Sequence, residues 1–194
     1  MNRALDVALA ALLLVVAAPI LAVAALAIRL ESRGPVVYRQ RRVGRHGEPF
    51  DLWKLRTMVS GAEAMGAGIY VLEGDPRITR AGRLLRRFSL DELPNLVNVL
   101  RGEMAIVGPR PTVQEQVDRY TDRQRRRLEV RPGITGWAQV NGRTSLPWPE
   151  RIELDVWYVD NRSLRLDLRI LLRTARMLLT GRGLYSESLK QGWE

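Results

Sequence analysis

From Val7 to Ile28 the chain runs for 22 residues without a formal charge, between Asp6 and Arg29. No other feature restricts the fold as strongly. As a straight helix the run covers about 33 Å, enough for the hydrocarbon core of a bilayer. Three placements compete. Ala22-Val23-Ala24 suggests a signal-peptide cleavage site, but the apolar run is too long for one and Asp6 sits awkwardly early. A simple spanning helix would put Arg29, Arg33, Arg39, Arg41 and Arg42 on the cytoplasmic side. Pro19 favours a third arrangement: it removes a backbone donor and clashes with the Val15 carbonyl, so the helix kinks. A kinked hairpin could dip into one leaflet and return, leaving Arg3 and Arg29 on the same face. Physical reasoning leaves the span and the re-entrant dip both standing, and either one places the protein on a membrane.

The remaining chain, of 194 residues in all, is long enough for one compact domain. Cysteine is absent, which excludes disulfides and thiolate metal sites, and the single histidine, His46, cannot build a zinc centre. Any metal is therefore a hard, oxygen-bound cation such as magnesium. The net charge of +10 is almost wholly arginine, with Lys54 and Lys190 the only lysines. That balance calls for a polyanionic partner: nucleic acid, an anionic membrane surface or a phosphorylated substrate.

No repeats or low-complexity linkers interrupt this part. Val36–Tyr38 and Phe50–Leu55 read as strands around a turn at Arg45–Glu48, and the glycine-rich stretch Gly61–Gly74 as a loop. Helical signals cover Thr79–Phe88, Leu90–Leu100 and Thr112–Leu128. Turns at Pro132-Gly133 and Asn141-Gly142 flank a segment centred on Trp137, and Pro147 and Pro149 precede another helix. In Leu164–Leu179, Arg165, Arg169, Arg173 and Arg176 recur at helical spacing opposite Leu168, Leu171, Leu172, Leu178 and Leu179. Such a helix suits a lipid interface or a core packing with a solvated arginine face. The whole reads as an α+β, mostly helical membrane-associated domain with a small β element and an N-terminal apolar membrane segment.

No Rossmann or P-loop glycine pattern is present, and His46 lies in a turn, so neither a nucleotide-binding fingerprint nor a serine triad organises the chain. Carboxylates and arginines remain. In Arg86-Arg87-Phe88-Ser89-Leu90-Asp91-Glu92-Leu93-Pro94, Ser89 and Glu92 have capping-box spacing, which would make both acids the start of a helix. Alternatively, adjacent carboxylates behind a basic helix could hold magnesium and approach a phosphoryl group. Pro109 and Pro111 present Arg110 from a rigid loop, either as a phosphate grip or as a plain turn. The stretch Arg131–Arg143 offers glycines, amides, two arginines and Trp137, suited to a diphosphate and a sugar or to a tight surface loop.

In this order, these segments resemble the monotopic phosphoglycosyl transferases, bacterial sugar transferases of the minimal catalytic core type. The similarity rests on Lys54-Leu55-Arg56-Thr57-Met58, Ser89–Pro94, Val107–Pro111 and Arg131–Arg143 and reaches from the apolar segment to about Gly183. It implies a re-entrant helix-hairpin over residues 1–33, a transferase domain over 34–183 and a tail over 184–194. Asp91 then matches the nucleophile and magnesium ligand, and Glu92 its partner in a catalytic dyad. Arg110 matches a phosphate contact, Lys54, Arg56 and Thr57 line the site, and Arg86 precedes the dyad. Gln139, Asn141 and Arg143 are assigned to the donor by extrapolation from the motif. Family members break their membrane helix at a Ser-Pro pair, whereas this chain has Ala18-Pro19, keeping the proline and losing the hydroxyl.

The resemblance implies a Mg2+-dependent, ping-pong phosphosugar transfer from a UDP-sugar to polyprenyl (undecaprenyl) phosphate, releasing UMP and beginning assembly of a capsule, exopolysaccharide, O-antigen or glycoprotein glycan. It places the enzyme on the cytoplasmic face of the bacterial inner membrane, among phospholipids, with no nucleic-acid partner and with homo-oligomerisation left open. A basic lipid-binding protein without catalysis would leave Asp91-Glu92 without a task. A nucleic-acid binder would leave the apolar run without one, and its affinity would fall steeply with salt.

Overall fold

The computed structural model describes residues 2–65, 74–142 and 146–180. Arg143, the interior of the Gly61–Gly74 stretch and the 184–194 tail lie outside them. The apolar run forms helix α1, Arg3–Glu31, which continues through Pro19. Asp6, Ala10, Ala17, Ala24 and Ile28 are its buried residues, spaced by fours and sevens along one face. The opposite surface leaves Leu12, Val15, Val16, Val23, Leu26 and Leu30 exposed. Among the described residues α1 is the one helix long and apolar enough to cross a membrane.

Both ends of α1 are tied to the same globular body by polar bonds. At the start, Arg3 donates to the carbonyls of Val99 (2.6 Å) and Leu100 (3.1 Å), and Asp6 accepts from the Ile106 amide at 3.1 Å. At the far end, Glu31 accepts from the amides of Arg80 and Ala81 at 2.6 and 2.7 Å, and Ser32 accepts from Arg56. Ionised Glu31 thereby occupies the electropositive start of the next helix.

Strands β1 (Val37–Val43) and β2 (Pro49–Leu55) form the expected antiparallel hairpin, with Tyr38 opposite Lys54 and Arg42 opposite Phe50. Its turn needs left-handed backbone, supplied by His46 at φ 58° and Gly47 at φ 85°. Since side chains alternate, Tyr38, Gln40 and Arg42 share one face with Lys54 and Leu52. On the other face Arg41 pairs with Asp51, and Arg39 lies over Trp53.

Helix α2, Arg80–Arg87, starts where expected: Thr79 caps it, accepting from the Gly82 amide at 2.9 Å. A Cβ on Gly82 would stand 2.0 Å from the Thr57 carbonyl oxygen, so glycine lets α2 lie directly on the chain beyond β2. Gly82→Ala should therefore cost about 1–3 kcal/mol, as overpacking does. A chemical melt of the variant indistinguishable from the parent would contradict that close approach.

The expected helix over Leu90–Leu100 is instead two pieces, a 3-10 turn at Leu90–Glu92 and α3, Asn95–Arg101. Pro94 cannot donate a helical bond, and Ser89 takes a left-handed conformation at φ 54°. The Ser89 side chain makes no capping bond, so the box that its spacing suggests is not formed. Asn98, fully buried in α3, braces the β2 edge: it accepts from the Trp53 amide (3.1 Å) and donates to the Asp51 carbonyl (2.7 Å).

Strands β3 (Ala105–Val107) and β4 (Gly133–Thr135) pair in parallel. Between them, the region expected as one helix breaks into α4 (Gln114–Val117), α5 (Asp122–Arg125) and a 3-10 turn, with a capping box of Thr121 and Gln124 restarting the chain at α5. Helices α6 (Trp137–Val140), α7 (Trp148–Asn161) and α8 (Leu164–Thr180) follow. The main core joins Ala10 of α1, Phe50 and Leu52 of β2, Leu96 and Val99 of α3, Ile106 and Val107 of β3, Tyr158 of α7, and Leu166 and Ile170 of α8. Burying each large aliphatic side chain there contributes about 1.5–3 kcal/mol. In α8 the core face is Leu166 and Ile170, whereas Leu168, Leu172 and Leu179 stay exposed beside the arginine row.

Candidate functional site

The site is assembled where the β1–β2 hairpin, the Ser89 turn and the Pro109–Pro111 loop converge. Lys54 points from β2 toward Glu92, Nζ to Oε1 at 3.2 Å. Arg110 reaches the same carboxylate, Nη2 to Oε1 at 2.7 Å. Glu92 thus binds two cations at once, which fixes Lys54 and Arg110 relative to each other. Arg86, on α2, donates from Nε to the Thr57 hydroxyl at 2.8 Å. The left-handed turn at Ser89 then sends Asp91 inward, to 9% exposure.

Asp91 is chemically unlike its neighbour. Among the described residues its carboxylate accepts no hydrogen bond. Burial, then repulsion from Glu92, pushes its carboxyl above the ordinary aspartate value, while Lys54, Arg86 and Arg110 pull the other way. Burial also lowers Lys54, opposed by Glu92, whereas Glu92 holds Arg110 firmly in its charged form. The result is a desolvated carboxylate with no protein donor, surrounded by fixed positive charge. Such a group suits nucleophilic attack on an anionic phosphoryl centre.

A second layer holds Arg110. Arg127, 3% exposed, donates to the Arg110 carbonyl at 2.9 Å, to Asp155 Oδ2 at 2.6 Å, and to the Tyr120 hydroxyl. Burial pushes the Asp155 carboxyl up to about 6 despite the guanidinium beside it. The strands behind the loop are held by close backbone contact. A Cβ on Gly108 would lie 2.4 Å from the Arg131 carbonyl oxygen, one on Gly133 2.1 Å from the Gly108 nitrogen, and one on Gly136 2.1 Å from the Gly108 carbonyl oxygen.

Other candidates stand elsewhere. Arg56 donates to the Ser32 carbonyl and hydroxyl at 2.8 and 3.0 Å, tying the end of α1 to the end of β2. Gln139 donates to the Ile134 carbonyl at 2.9 Å. Asn141 donates to the Trp137 carbonyl (2.8 Å) and accepts from Arg173 (2.7 Å). No bond in the described structure connects these amides with Asp91 or Glu92. Arg42, Asn98, Arg127 and Asp155 escaped sequence reasoning. Only Arg42 had a usable signal: strand alternation puts it on the Lys54 face.

Among the described residues no three acidic or histidine side chains cluster as a metal cage. With Glu92 engaged by Lys54 and Arg110, Asp91 is the hard oxygen donor the dyad still offers. A single carboxylate of this kind is a hard oxygen ligand, of the type that magnesium takes together with water and phosphate oxygens.

A family model described as bacterial sugar transferase matches residues 1–181. The chain is 45% identical over 184 residues to the uncharacterized sugar transferase EpsL of Bacillus subtilis (strain 168), covering 95% of this chain and 90% of EpsL. It is 47% identical over 187 residues to a UDP-glucose:undecaprenyl-phosphate glucose-1-phosphate transferase of Caulobacter vibrioides, covering 92% and 70%. An Escherichia coli (strain K12) protein of the same name is 42% identical over 182 residues, covering 90% of this chain and 39% of its own length. A match of this extent, with Lys54, Asp91, Glu92 and Arg110 gathered in one site, places the chain in the bacterial sugar transferase family.

Proposed function

We propose that this protein transfers a phosphosugar from a UDP-sugar to polyprenyl phosphate through an aspartyl-phosphosugar intermediate, at the cytoplasmic face of the bacterial inner membrane. The observation that carries the reading is Asp91: buried, without a protein donor, and facing three cations. In the first step an Asp91 oxygen attacks the sugar-bearing phosphorus as the bond to UMP breaks. In the second, an oxygen of polyprenyl phosphate attacks the same phosphorus, releasing polyprenyl diphosphate sugar and restoring the carboxylate. Lys54, Arg86 and Arg110 offset the repulsion between carboxylate and phosphate, and Glu92 keeps two of them in place. Magnesium, held through Asp91 and substrate phosphates, would supply further charge neutralisation. The direct test is UMP release from a panel of UDP-sugars with polyprenyl phosphate and Mg2+. Continued release beyond one equivalent per site, requiring both lipid phosphate and one UDP-sugar, is expected; no release from any donor overturns the activity.

Monotopic seating is supported by the polar ties that bind both ends of α1 to one globular body, and by its exposed apolar surface. Helix α8 adds exposed leucines 168, 172 and 179 beside Arg165, Arg169, Arg173 and Arg176, an arrangement suited to phospholipid headgroups. The absence of cysteine allows a clean topology test. Asn2→Cys and Arg33→Cys, both at exposed positions flanking α1, should stay unlabelled when an impermeant thiol reagent is added to intact cells. Labelling of one and not the other would establish a spanning helix.

A further inference from the structure

Facing the Lys54–Glu92–Arg110 group is a small cleft, and Arg42 lines it beside Asn95. Arg42 arrives there through the hairpin register, on the same face as Lys54. Its guanidinium is aimed from behind: Nη2 donates to Gln40 Oε1, while the Gln40 amide and the Tyr38 hydroxyl both donate to Glu63. That relay leaves Arg42 Nε buried without a partner, and Asn95 Oδ1, in the same cleft, is likewise buried and unpartnered. A buried guanidinium donor without a partner is costly unless an acceptor such as a phosphate oxygen completes it.

Charge points to the kind of ligand. Arg42, Lys54, Arg86 and Arg110 surround three carboxylates, Glu63, Asp91 and Glu92, leaving one positive charge unbalanced in this group. Burial, then the like charge of Arg110, lowers Arg42 to about 10. Two neighbouring guanidiniums that repel each other bind an anion between them more favourably than either alone.

We propose that Arg42 is a second phosphate-gripping residue, acting with Arg110 on a phosphate or diphosphate group of the substrate. The assignment rests on the transferase reading for its substrate, but its anion chemistry stands on the cleft itself. The phosphate belongs either to the donor diphosphate or to the lipid acceptor, and the half-reactions tell them apart.

The probe is inorganic pyrophosphate, titrated calorimetrically into the full-length protein in detergent. Arg42→Ala should weaken binding about tenfold or more. Arg42→Lys, which keeps a positive charge and guards against misfolding, should weaken it measurably because an ammonium lacks the guanidinium fork. Slower single-turnover UMP release alone assigns Arg42 to the donor, and slower discharge of the sugar-phosphate adduct alone assigns it to the lipid phosphate. Unchanged pyrophosphate affinity in a folded Arg42→Ala protein overturns the proposal, even if UMP release proceeds normally. If pyrophosphate binding depends on Arg42 but no UDP-sugar yields UMP, the transferase reading fails and the anion site stands.

Discussion

Asp91→Asn should give a folded, membrane-bound protein that has lost turnover by about three orders of magnitude or more, the scale expected when a covalent nucleophile is removed. With the correct UDP-sugar and Mg2+ but no lipid acceptor, the parent should release a burst of UMP approaching one equivalent per site. It should simultaneously gain the mass of a sugar phosphate on the peptide containing Asp91. The variant should do neither. Stability should move the other way, because the parent buries a carboxylate that accepts no hydrogen bond. A carboxyl raised above 3.8 in the folded state binds protons more tightly there than in the unfolded chain. Its contribution to stability is therefore lost as pH rises through the folded value. The asparagine variant should melt higher than the parent at pH 8, and the gap should narrow toward acid. A direct-transfer enzyme would release no UMP before lipid was added, and that result would return Asp91 to metal binding alone.

Arg127→Met should be the most damaging change outside the carboxylate dyad. It strips the partner from Asp155, 2% exposed, and removes the donor that holds the Arg110 carbonyl. Breaking a buried ion pair by removing one partner costs about 3–5 kcal/mol. For a protein of this size that corresponds to a melting temperature lower by on the order of 10 °C. Asp155 already titrates near 6, and without the guanidinium its carboxyl should rise further. The deficit should therefore be smaller at pH 5, where the carboxyl is protonated in the fold, than at pH 8. Pairing Arg127→Met with Asp155→Leu should recover much of the stability, since an apolar pair can replace a buried ion pair. It should not recover activity, because the Arg110 loop still lacks its brace. A single variant that melts within 2 °C of the parent, about the scale of a minor surface change, would remove Arg127 from this role.

What could be read from sequence was local. The apolar length of α1, the alternation of β1 and β2, and Thr79 before α2 depend on neighbours within a few residues, and the structure follows them. Asp91 and Glu92 could not be separated from a helix cap, because nothing in the neighbouring residues signals the left-handed backbone that Ser89 adopts. Helix α8 shows a different difficulty. Its arginines do share an exposed face, but its aliphatic residues occupy two adjacent faces, and sequence cannot say which one meets the core. Arg42 and Arg127 were hidden by composition: in a chain with so many arginines, individual ones carry little signal until a carboxylate or carbonyl partner appears.

The contact among Gly108, Gly133 and Gly136 divides the chain into parts with unequal freedom to vary. Backbone meets backbone there, so no compensating side chain can absorb an enlargement at any of the three. The connection between β3 and β4 is under no such restriction around Asp118 and Arg119, which are exposed. Lengthening the chain at that point leaves the strand pairing untouched, provided that Tyr120, which Arg127 contacts, keeps its place. An affinity tag or fluorophore grafted there would report on the enzyme in place, and lineages could lengthen this connection while the strands behind the arginine loop stayed fixed.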